Sequence, residues 1–479
     1  ANLVLQPCMP LQLDMLRTAI LLLAAYFFCA CATEEGYNCT LPTPVDPPEF
    51  RFYPNDQPDY QPGDACSLPA DLRTALLEAS RNYLEQLIHC APPNSFDSAD
   101  VFEGSAGPAL LFFKGYLRTN DAYFLKLAKK YIDAAVPVAK NSTDDEYDGF
   151  LWGQTGVFVV AAAIYHADGD KRKAKEMISI VQESLDSCKQ GDLDDLDGGK
   201  AGLLYAGLLL NSHFGSEVIS SASLNRLADM LIENGFRIGD RSGVLKWHGP
   251  IDPEVVFWGQ THGTAGVLQV LLELPHCLHN TTVRSLIVNT LDDLAARQLP
   301  SGNFPTPLVA PYPMEEDQLV QFDHGAPGVG VVMAKAYQVF GTPLYRESAE
   351  KAFDCVWERG ILSKGQMLCH GVQGNAYMLL HAGAWIAQRD ARPLLTHQTD
   401  SAGTPPVTAI HPKFCVRALR FQEKVLRTPA LSKIGTMRTP TPVPYGLFQS
   451  SFLPALSLWL DILHMESAMP SMPGFGLRF

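Results

Sequence analysis

The sequence predicts an all-α protein folded as an α/α toroid, a barrel with an inner and an outer ring of helices. A short motif, Gly-x-x-Gly, occurs six times along the 479 residues. Each copy precedes a strongly apolar stretch of helical length, and an amphipathic stretch follows. An apolar helix is buried all round, whereas an amphipathic helix faces water on one side. Sustained period-two alternation, which would indicate strands, is missing. Six to seven helical hairpins in two concentric rings are therefore predicted.

The spacing of the motifs supports this architecture and indicates where they lie. Their first glycines are 46 to 64 residues apart, which suits one hairpin with its loops at ~1.5 Å per helical residue. Because each motif would begin an inner helix, the motifs are expected to gather at one end of the barrel and line a shared cavity. The motifs are Gly104-Ser105-Ala106-Gly107, Gly153-Gln154-Thr155-Gly156, Gly199-Lys200-Ala201-Gly202, Gly263-Thr264-Ala265-Gly266, Gly325-Ala326-Pro327-Gly328 and Gly371-Val372-Gln373-Gly374.

Composition and pattern divide the chain into four predicted segments. Residues 1–32 form a leader, and residues 33–69 form a Pro-rich arm without periodicity, which predicts a surface loop. The toroid is predicted over residues 70–466, and residues 467–479 form a tail. A seventh hairpin unit is expected after Tyr445-Gly446-Leu447-Phe448, although Gly-x-x-Gly is absent there.

The leader leaves two interpretations of the cellular compartment open. Arg17 precedes an apolar stretch, Ala19 to Phe28, and Ala30-Cys31-Ala32 resembles a cleavage site, as in a secretory signal peptide. The apolar stretch is too short to indicate a membrane span, so the sequence does not support membrane association. The second interpretation is a non-native extension of a cytoplasmic protein. Glycosylation triplets, which permit a secretory route, begin at Asn38, Asn141 and Asn280.

Charge and cysteine content narrow the function classes. The formal net charge of −14 argues against nucleic acid and against anionic membrane surfaces as partners. A hydrophobic content of 47% is typical of a folded chain with a large core. The 11 cysteines are odd in number and include no Cys-x-x-Cys pair. This pattern predicts no disulfide framework, and most of the thiols are expected to be free, buried or metal-bound.

Three motifs carry a histidine immediately before the first glycine, at His262, His324 and His370. Asp323 and Cys369 stand beside two of these histidines. If the motifs share one end of the barrel, these five side chains converge, and carboxylate, thiolate and imidazole are all zinc ligands. The alternative is that each histidine only braces the start of its own helix by hydrogen bonding. We expect a site because three histidines occur at equivalent positions.

The order of these motifs resembles the lanthionine synthetase C-like family, the eukaryotic branch related to bacterial lantibiotic cyclases. The similarity runs from about residue 72 to residue 465. Beside the repeat motifs it includes Ser301-Gly302-Asn303-Phe304-Pro305, Lys364-Gly365 and Arg438-Thr439-Pro440.

The resemblance implies an α/α toroid with a central zinc ion. Bacterial members add cysteine thiols to dehydroalanine or dehydrobutyrine, whereas eukaryotic members resemble glutathione S-transferases that act on dehydroamino acids in proteins. Glutathione is accordingly the expected co-substrate, and a dehydroamino-acid-containing protein or peptide is the expected partner. By position, Cys369 and His370 would be zinc ligands and His262 the acid/base group. The expected glutathione-binding residues are Lys364 and Arg438.

The chain departs from the family pattern at the third expected zinc ligand. The family has Trp-Cys-His-Gly-Ala-Pro-Gly where this chain has Phe322-Asp323-His324-Gly325-Ala326-Pro327-Gly328. A carboxylate is also a zinc ligand, so an Asp323-Cys369-His370 set can still hold the metal with an open fourth position. His324 is then a second choice for the acid/base role, or a residue that orients Asp323. The alternative is an impaired glutathione- or peptide-binding scaffold whose metal site has decayed.

Two other enzyme classes share this type of barrel. Protein prenyltransferase β-subunits use Asp, Cys and His zinc ligands, but the chain lacks their close Asp-x-Cys spacing. Toroidal glycoside hydrolases need two carboxylates that flank the sugar bond. The acidic run Asp192–Asp197 offers carboxylates, but such a charge run is expected to be a solvated loop.

Overall fold

The computed structural model describes residues 50–142, 148–239, 241–249, 255–306, 317–391, 410–428, 431, 447–448, 452–465 and 472. Within these ranges the regular structure is helical, apart from isolated bridges. None of the described helices is both long and apolar enough to cross a membrane. The α-helices are α1 (Ala70–Cys90), α2 (Ala106–Thr119), α3 (Ala122–Asn141), α4 (Gln154–Ala167), α5 (Lys171–Ser187), α6 (Lys200–Phe214), α7 (Ser221–Ile238), α8 (Thr264–Leu271), α9 (Pro275–His279), α10 (Thr281–Ala296), α11 (Ala326–Phe340), α12 (Pro343–Arg359), α13 (Val372–Ala391), α14 (Pro412–Arg427) and α15 (Phe452–Leu463).

Seven of these helices form a closed inner ring. In order around the barrel, α2, α4, α6, α8, α11, α13 and α15 each contact the next, and α15 contacts α2. Outer helices pack on them: α3 on α2, α5 on α4, α7 on α6, α12 on α11, α14 on α13 and α1 on α15. The predicted α/α toroid is confirmed, and α15 is the inner helix of the seventh unit.

The two rings follow from the hydrophobic patterns. The inner helix α4 buries every residue from Thr155 to Tyr165. The outer helix α5 buries only Ala174, Met177, Val181 and Leu185, which lie on one face at helical spacing. Water therefore reaches the outer helices on one side, whereas the inner helices are enclosed by protein.

The second glycine of each motif lets an inner helix start directly beneath the loop that precedes it. A Cβ added at Gly374 would overlap the carbonyl oxygen of Leu368, six residues earlier in the chain. Gly266 stands in the same relation to the carbonyl of Gln260. The other four second glycines, Gly107, Gly156, Gly202 and Gly328, also face the carbonyl oxygen six residues before them. The repeated glycine is therefore a packing requirement.

A closed ring of backbone hydrogen bonds joins the seven loops that lead into the inner helices. Each loop is bonded to both of its neighbours around the mouth of the barrel, so loops far apart in sequence are held side by side. The bonds run from Phe102 N to Leu151 O, Trp152 N to Asp197 O, Leu196 N to Thr261 O, Gln260 N to Asp323 O, Asp323 N to Cys369 O, Leu368 N to Phe448 O and Phe448 N to Phe102 O, with N–O distances of 3.1 to 3.2 Å. We call this arrangement the loop ring.

The described part of the N-terminal arm, from Phe50, lies against the outer helices and reaches the loop ring. The Ser363 amide donates to the carbonyl of Arg51 at 3.0 Å. Farther along the arm, Cys66 forms a disulfide with Cys415 of α14. The arm is therefore attached both beside the loop that carries Cys369 and on the outer ring.

This disulfide corrects part of the prediction about the cysteines. Cys66 and Cys415 are 349 residues apart in sequence, so their pairing leaves no local spacing signal. Cys90 is also disulfide-bonded. The free thiols among the described residues are all buried: Cys188, Cys277, Cys355 and Cys369.

Replacing Gly374 by alanine is expected to destabilise the fold by about 1–3 kcal/mol, because the backbone must move away from the Leu368 carbonyl. Urea unfolding measures the change. Gly191→Ala is the matched control, because no heavy atom lies within 4 Å of an added Cβ there. The free energy of unfolding of that control should stay within about 0.5 kcal/mol of the wild-type value. Equal stability of the two variants would contradict the packing role of the motif.

Candidate functional site

The loop ring brings Asp323, Cys369 and His370 together in one cluster. One potential metal-ligating atom from each residue lies within 4.8 Å of the other two. The His370 Nε2 atom is 3.2 Å from Asp323 Oδ2, and its Nδ1 atom is 2.9 Å from Cys369 Sγ. Asp323 and Cys369 are buried, and the His370 side chain keeps 15% of its surface exposed. The three residues proposed from sequence as metal ligands are therefore adjacent and able to hold one ion.

Hydrogen bonds orient the cluster from outside. The Thr261 hydroxyl donates to Asp323 Oδ1, which leaves Oδ2 directed at His370. The Cys369 thiol lies 3.2 Å from the carbonyl oxygen of Phe448, to which it donates. Thr261, rather than the neighbouring His324, is therefore the side chain that orients Asp323. Sequence analysis missed Thr261, although it stands next to His262.

Burial determines the protonation of the three candidate ligands. It raises the pKa of the Cys369 thiol well above its usual range, and the charge of Asp323 adds to this effect. It lowers the pKa of His370 well below the usual value, so that the ring is neutral and its lone pair is available. Burial also raises the pKa of Asp323 to about 6, against the opposing influence of His262.

His262 lies beside this cluster and faces two carboxylates. Its Nδ1 atom is 3.0 Å from Asp195 Oδ2, and its Nε2 atom is 4.0 Å from Asp197 Oδ2. Burial by itself disfavours the charged ring. The hydrogen bond to Asp195 and the charges of Asp197 and Asp323 outweigh burial and raise the pKa of His262 to about 9. The imidazole is therefore protonated near neutral pH in the metal-free protein.

The two aspartates around His262 correct the expectation that Asp192–Asp197 is a solvated loop. Asp195 and Asp197 are 3% and 2% exposed, respectively. Only the start of the run follows the expectation, since Asp192 is exposed. Asp197 stands two residues before the motif glycine Gly199, as Asp323 and Cys369 stand two residues before Gly325 and Gly371. That equivalence of position is the sequence signal that could have identified Asp197; Asp195, two residues farther from the motif, has no such signal.

His324 also lies at the site, with its ring centroid 6.2 Å from that of His370 and 5.8 Å from that of Phe257. Burial, together with the positive charges of His262 and Lys364, lowers the pKa of His324 to about 3. A ring that is neutral at pH 7 has no proton to give as an imidazolium. Of the two histidines considered for acid catalysis, His262 is therefore the one with the suitable charge.

Lys364 lies near the cluster, five residues before Cys369. Burial lowers its pKa, whereas the charges of Cys369 and Asp323 oppose that change and the charge of Arg51 adds to it. Arg51 thus belongs to the same electrostatic neighbourhood, and it comes from the arm, which sequence analysis assigned no role. The two cations form a basic group in a protein of net charge −14. Arg438, the other predicted glutathione-binding residue, lies outside the described residues.

Comparison with known proteins identifies the family. Residues 95–387 match the model of the lanthionine synthetase C-like protein family. The chain belongs to that family. Within this family, it is 29% identical to the protein named Glutathione S-transferase LANCL1 from Danio rerio over 352 residues, covering 69% of this chain and 83% of the relative.

Two further proteins are similar to this chain. The lanthionine synthetase C-like chain is 31% identical to LanC-like protein GCL1 from Arabidopsis thaliana over 296 residues, covering 58% of this chain and 65% of the relative. The solved structure of a nisin cyclase matches with a TM-score of 0.48 at 15% identity, covering 82% of this chain and 99% of that one.

Proposed function

We propose that this protein adds a thiol, with glutathione as the expected one, to dehydroalanine or dehydrobutyrine residues of a protein or peptide in a zinc-dependent reaction. The adjacency of Asp323, Cys369 and His370, with His262 beside them, is the observation that supports this proposal most directly. The name of the Danio rerio relative, Glutathione S-transferase LANCL1, agrees with glutathione as a substrate. The product is a thioether.

The donor set fits a zinc ion. Carboxylate oxygen, thiolate sulfur and imidazole nitrogen are all common zinc ligands, and three protein ligands with one open position are typical of catalytic sites. Asp323 has one oxygen engaged by Thr261 and the other directed at His370, which suits a single-oxygen ligand. When bound there, zinc would lower the pKa of a coordinated thiol and favour the thiolate.

The side chains around the metal ligands supply the remaining requirements of the reaction. Thiolate addition forms a carbon–sulfur bond at the β-carbon, and the π electrons of the alkene move into an enolate. The α-carbon of that enolate then needs a proton. His262 lies beside the cluster, and its ring is protonated near neutral pH in the metal-free protein, so it is the proposed donor. The thiol's own proton balances the one that His262 gives up.

Arg51 and Lys364 are proposed to bind the carboxylates of glutathione. Both are cations, and Arg51 lowers the pKa of Lys364, as a like charge at short range does. A carboxylate placed between them would relieve this repulsion. The backbone bond from Ser363 to Arg51 fixes the arm next to Lys364, so the arm contributes a side chain to the site.

We expect the purified full-length protein to bind about one zinc ion, with release of about one proton near pH 7.5, because the Cys369 thiol must ionise to become a ligand. Metal analysis gives the stoichiometry, and calorimetry in buffers of different ionisation enthalpy gives the proton count. Cys369→Ala should abolish binding. Cys355→Ala, which removes another buried thiol, should leave binding unchanged. A wild-type protein that takes up no zinc would exclude the metal-dependent reaction.

His262→Gln is expected to reduce glutathione addition to a dehydroalanine peptide by about 10²–10⁴-fold, because the enolate loses its proton donor. Zinc content should not change. Mass spectrometry of the peptide follows the addition. His276→Gln replaces a histidine that pairs with Asp229 at the surface, and it should retain full activity. Normal turnover by His262→Gln would rule out His262 as the proton donor.

Lys364→Gln and Arg51→Gln are each expected to raise the KM for glutathione about tenfold, the loss of one charge-assisted contact of about 1.4 kcal/mol. 2-Mercaptoethanol, an uncharged thiol without carboxylates, should show no change in KM. Arg172→Gln removes a cation whose side chain is 79% exposed and serves as the control. Equal effects on glutathione and 2-mercaptoethanol would show that the two cations do not recognise carboxylates.

A further inference from the structure

One segment singled out in the sequence, Ser301-Gly302-Asn303-Phe304-Pro305, has no part in the proposed reaction. In the structure it follows α10, and its backbone turns at Gly302, whose φ is +86°. The carbonyl oxygen of Lys351 lies where a Cβ of residue 302 would be, so the turn requires glycine. Asn303 comes next, and its side chain is 0% exposed. The turn therefore fixes the starting point of a buried amide.

The Asn303 side chain makes three hydrogen bonds, and all three partners lie between Asp317 and Ala326. Its Nδ2 group donates to Asp317 Oδ1 at 2.9 Å and to the carbonyl of Leu319 at 3.0 Å. Its Oδ1 atom accepts from the Ala326 amide at 2.7 Å. Both N–H groups of the amide are thus used, together with its oxygen. One side chain therefore holds both ends of residues 317–326, which we call the Asp323 loop.

The bond to Ala326 also caps α11. The first amides of a helix have no acceptor within the helix, and the residue before α11, Gly325, has no side chain that could supply one. A Cβ at Gly325 would overlap both Asn303 Oδ1 and the carbonyl of Leu319. The glycine thus lets the amide approach the point where the loop ends and the inner helix begins.

Asp317, at the other end of the Asp323 loop, connects this arrangement to the arm. Its Oδ1 atom also accepts from Arg359 at 2.9 Å, and the Arg359 guanidinium lies 5.8 Å from the ring centroid of Phe52. Partial burial opposes ionisation of Asp317, but the hydrogen bonds from Asn303 and Arg359 outweigh it and lower the pKa of this carboxyl. Both bonds are therefore made to a charged acceptor near neutral pH, which strengthens them.

Asp323 lies between the two held ends of the Asp323 loop. Its main chain is bonded to Gln260 and Cys369, and its side chain accepts from the Thr261 hydroxyl. These bonds come from other loops, so they fix Asp323 only while the Asp323 loop keeps its own shape. A metal ligand must be held within about 0.5 Å of its productive position. The shape of the loop therefore bears directly on the metal site.

We propose that Asn303 is a positioning residue for Asp323 and thereby sets the affinity of the site for zinc. This inference rests on the proposed function, because it takes Asp323 as a zinc ligand. Loss of the amide frees both ends of the Asp323 loop, and the carboxylate then loses its defined place beside Cys369 and His370. Groups that orient metal ligands from outside typically change metal affinity about 10–100-fold.

The test is Asn303→Ala in the full-length protein, with zinc affinity measured by competition with a chromophoric chelator. Zinc binding should weaken about 10–100-fold. In the cobalt-substituted variant the d–d bands should lose intensity, because water replaces the Asp323 carboxylate and the tetrahedral geometry is lost. The charge-transfer band of the Cys369 thiolate should remain, because Asn303 does not hold that ligand.

Asn211→Ala is the matched control. Asn211 lies in the last turn of α6, at the opposite end of that helix from the loop ring. Its side chain also makes three hydrogen bonds of 2.8 to 2.9 Å, to the amide of Val218 and to the amide and carbonyl of Ile219. Zinc affinity of this variant should equal that of the wild type. Equal weakening by both variants would identify lost stability as the cause and would overturn the positioning role.

Asn303→Ser provides a second, milder variant if Asn303→Ala does not fold. A hydroxyl has one donor and cannot replace the two N–H groups of the amide, so zinc binding should again weaken. A zinc affinity equal to that of the wild type in either folded variant overturns the inference.

Amide exchange in the metal-free protein separates this inference from the proposed function. Exchange at residues 318–325 should be faster in Asn303→Ala than in the wild type, and Asn211→Ala should not change it. Absence of zinc binding by the wild type would defeat the proposed function. Unchanged exchange in Asn303→Ala would instead defeat the inference, because the amide would then not hold the loop.

Discussion

A closed ring of backbone hydrogen bonds determines where the side chains of this protein can meet. Each of the seven loops that lead into the inner helices is bonded to the loop on either side. Asp323 takes part twice, since its carbonyl accepts from Gln260 and its amide donates to Cys369. The candidate ligands are thus attached to each other through the main chain before any metal binds. This is preorganisation by the fold, and rigid placement of ligands supports metal affinity.

The aspartate at position 323 changes the chemistry that this framework presents. A carboxylate is a harder donor than a thiolate, and hard donors are less selective for zinc over other divalent ions. The protein fixes the position of this carboxylate. Thr261 holds one oxygen of Asp323, and burial keeps water away from the other. The site also contains the carboxylates of Asp195 and Asp197, which face His262. Lys364 lies near Asp323, so basic side chains accompany the acidic ones.

Much of the fold could be predicted because its signals are local. Helical periodicity and the repeated glycines define each hairpin, and the one or two residues before three of the motifs pointed to His262, Asp323 and His370. The burial of Asp195 could not be seen in that way. Whether a carboxylate in an acidic run is buried depends on a partner such as His262, which is 67 residues from Asp195 in sequence.

The disulfide between the arm and α14 and the placement of Arg51 near Lys364 were missed for the same reason. Both join parts of the chain that lie several hundred residues apart. A segment without periodicity gives no sign of what it will pack against, because its position depends on surfaces that exist only after the barrel has closed. The arm therefore looked like a surface loop although it contacts the site region.

The closed order of the inner helices has a consequence for the architecture of the chain. In an open repeat array, the two terminal units have no neighbour on one side and need capping sequences to shield their apolar faces. Here α15 packs on both α2 and α1, so the last unit is covered by the first. The barrel has no exposed end repeat. At the mouth of the barrel, the first and last loops are joined by a backbone hydrogen bond from Phe448 to Phe102, as the other neighbouring loops are. The loop ring therefore shows no break between the first and the last unit.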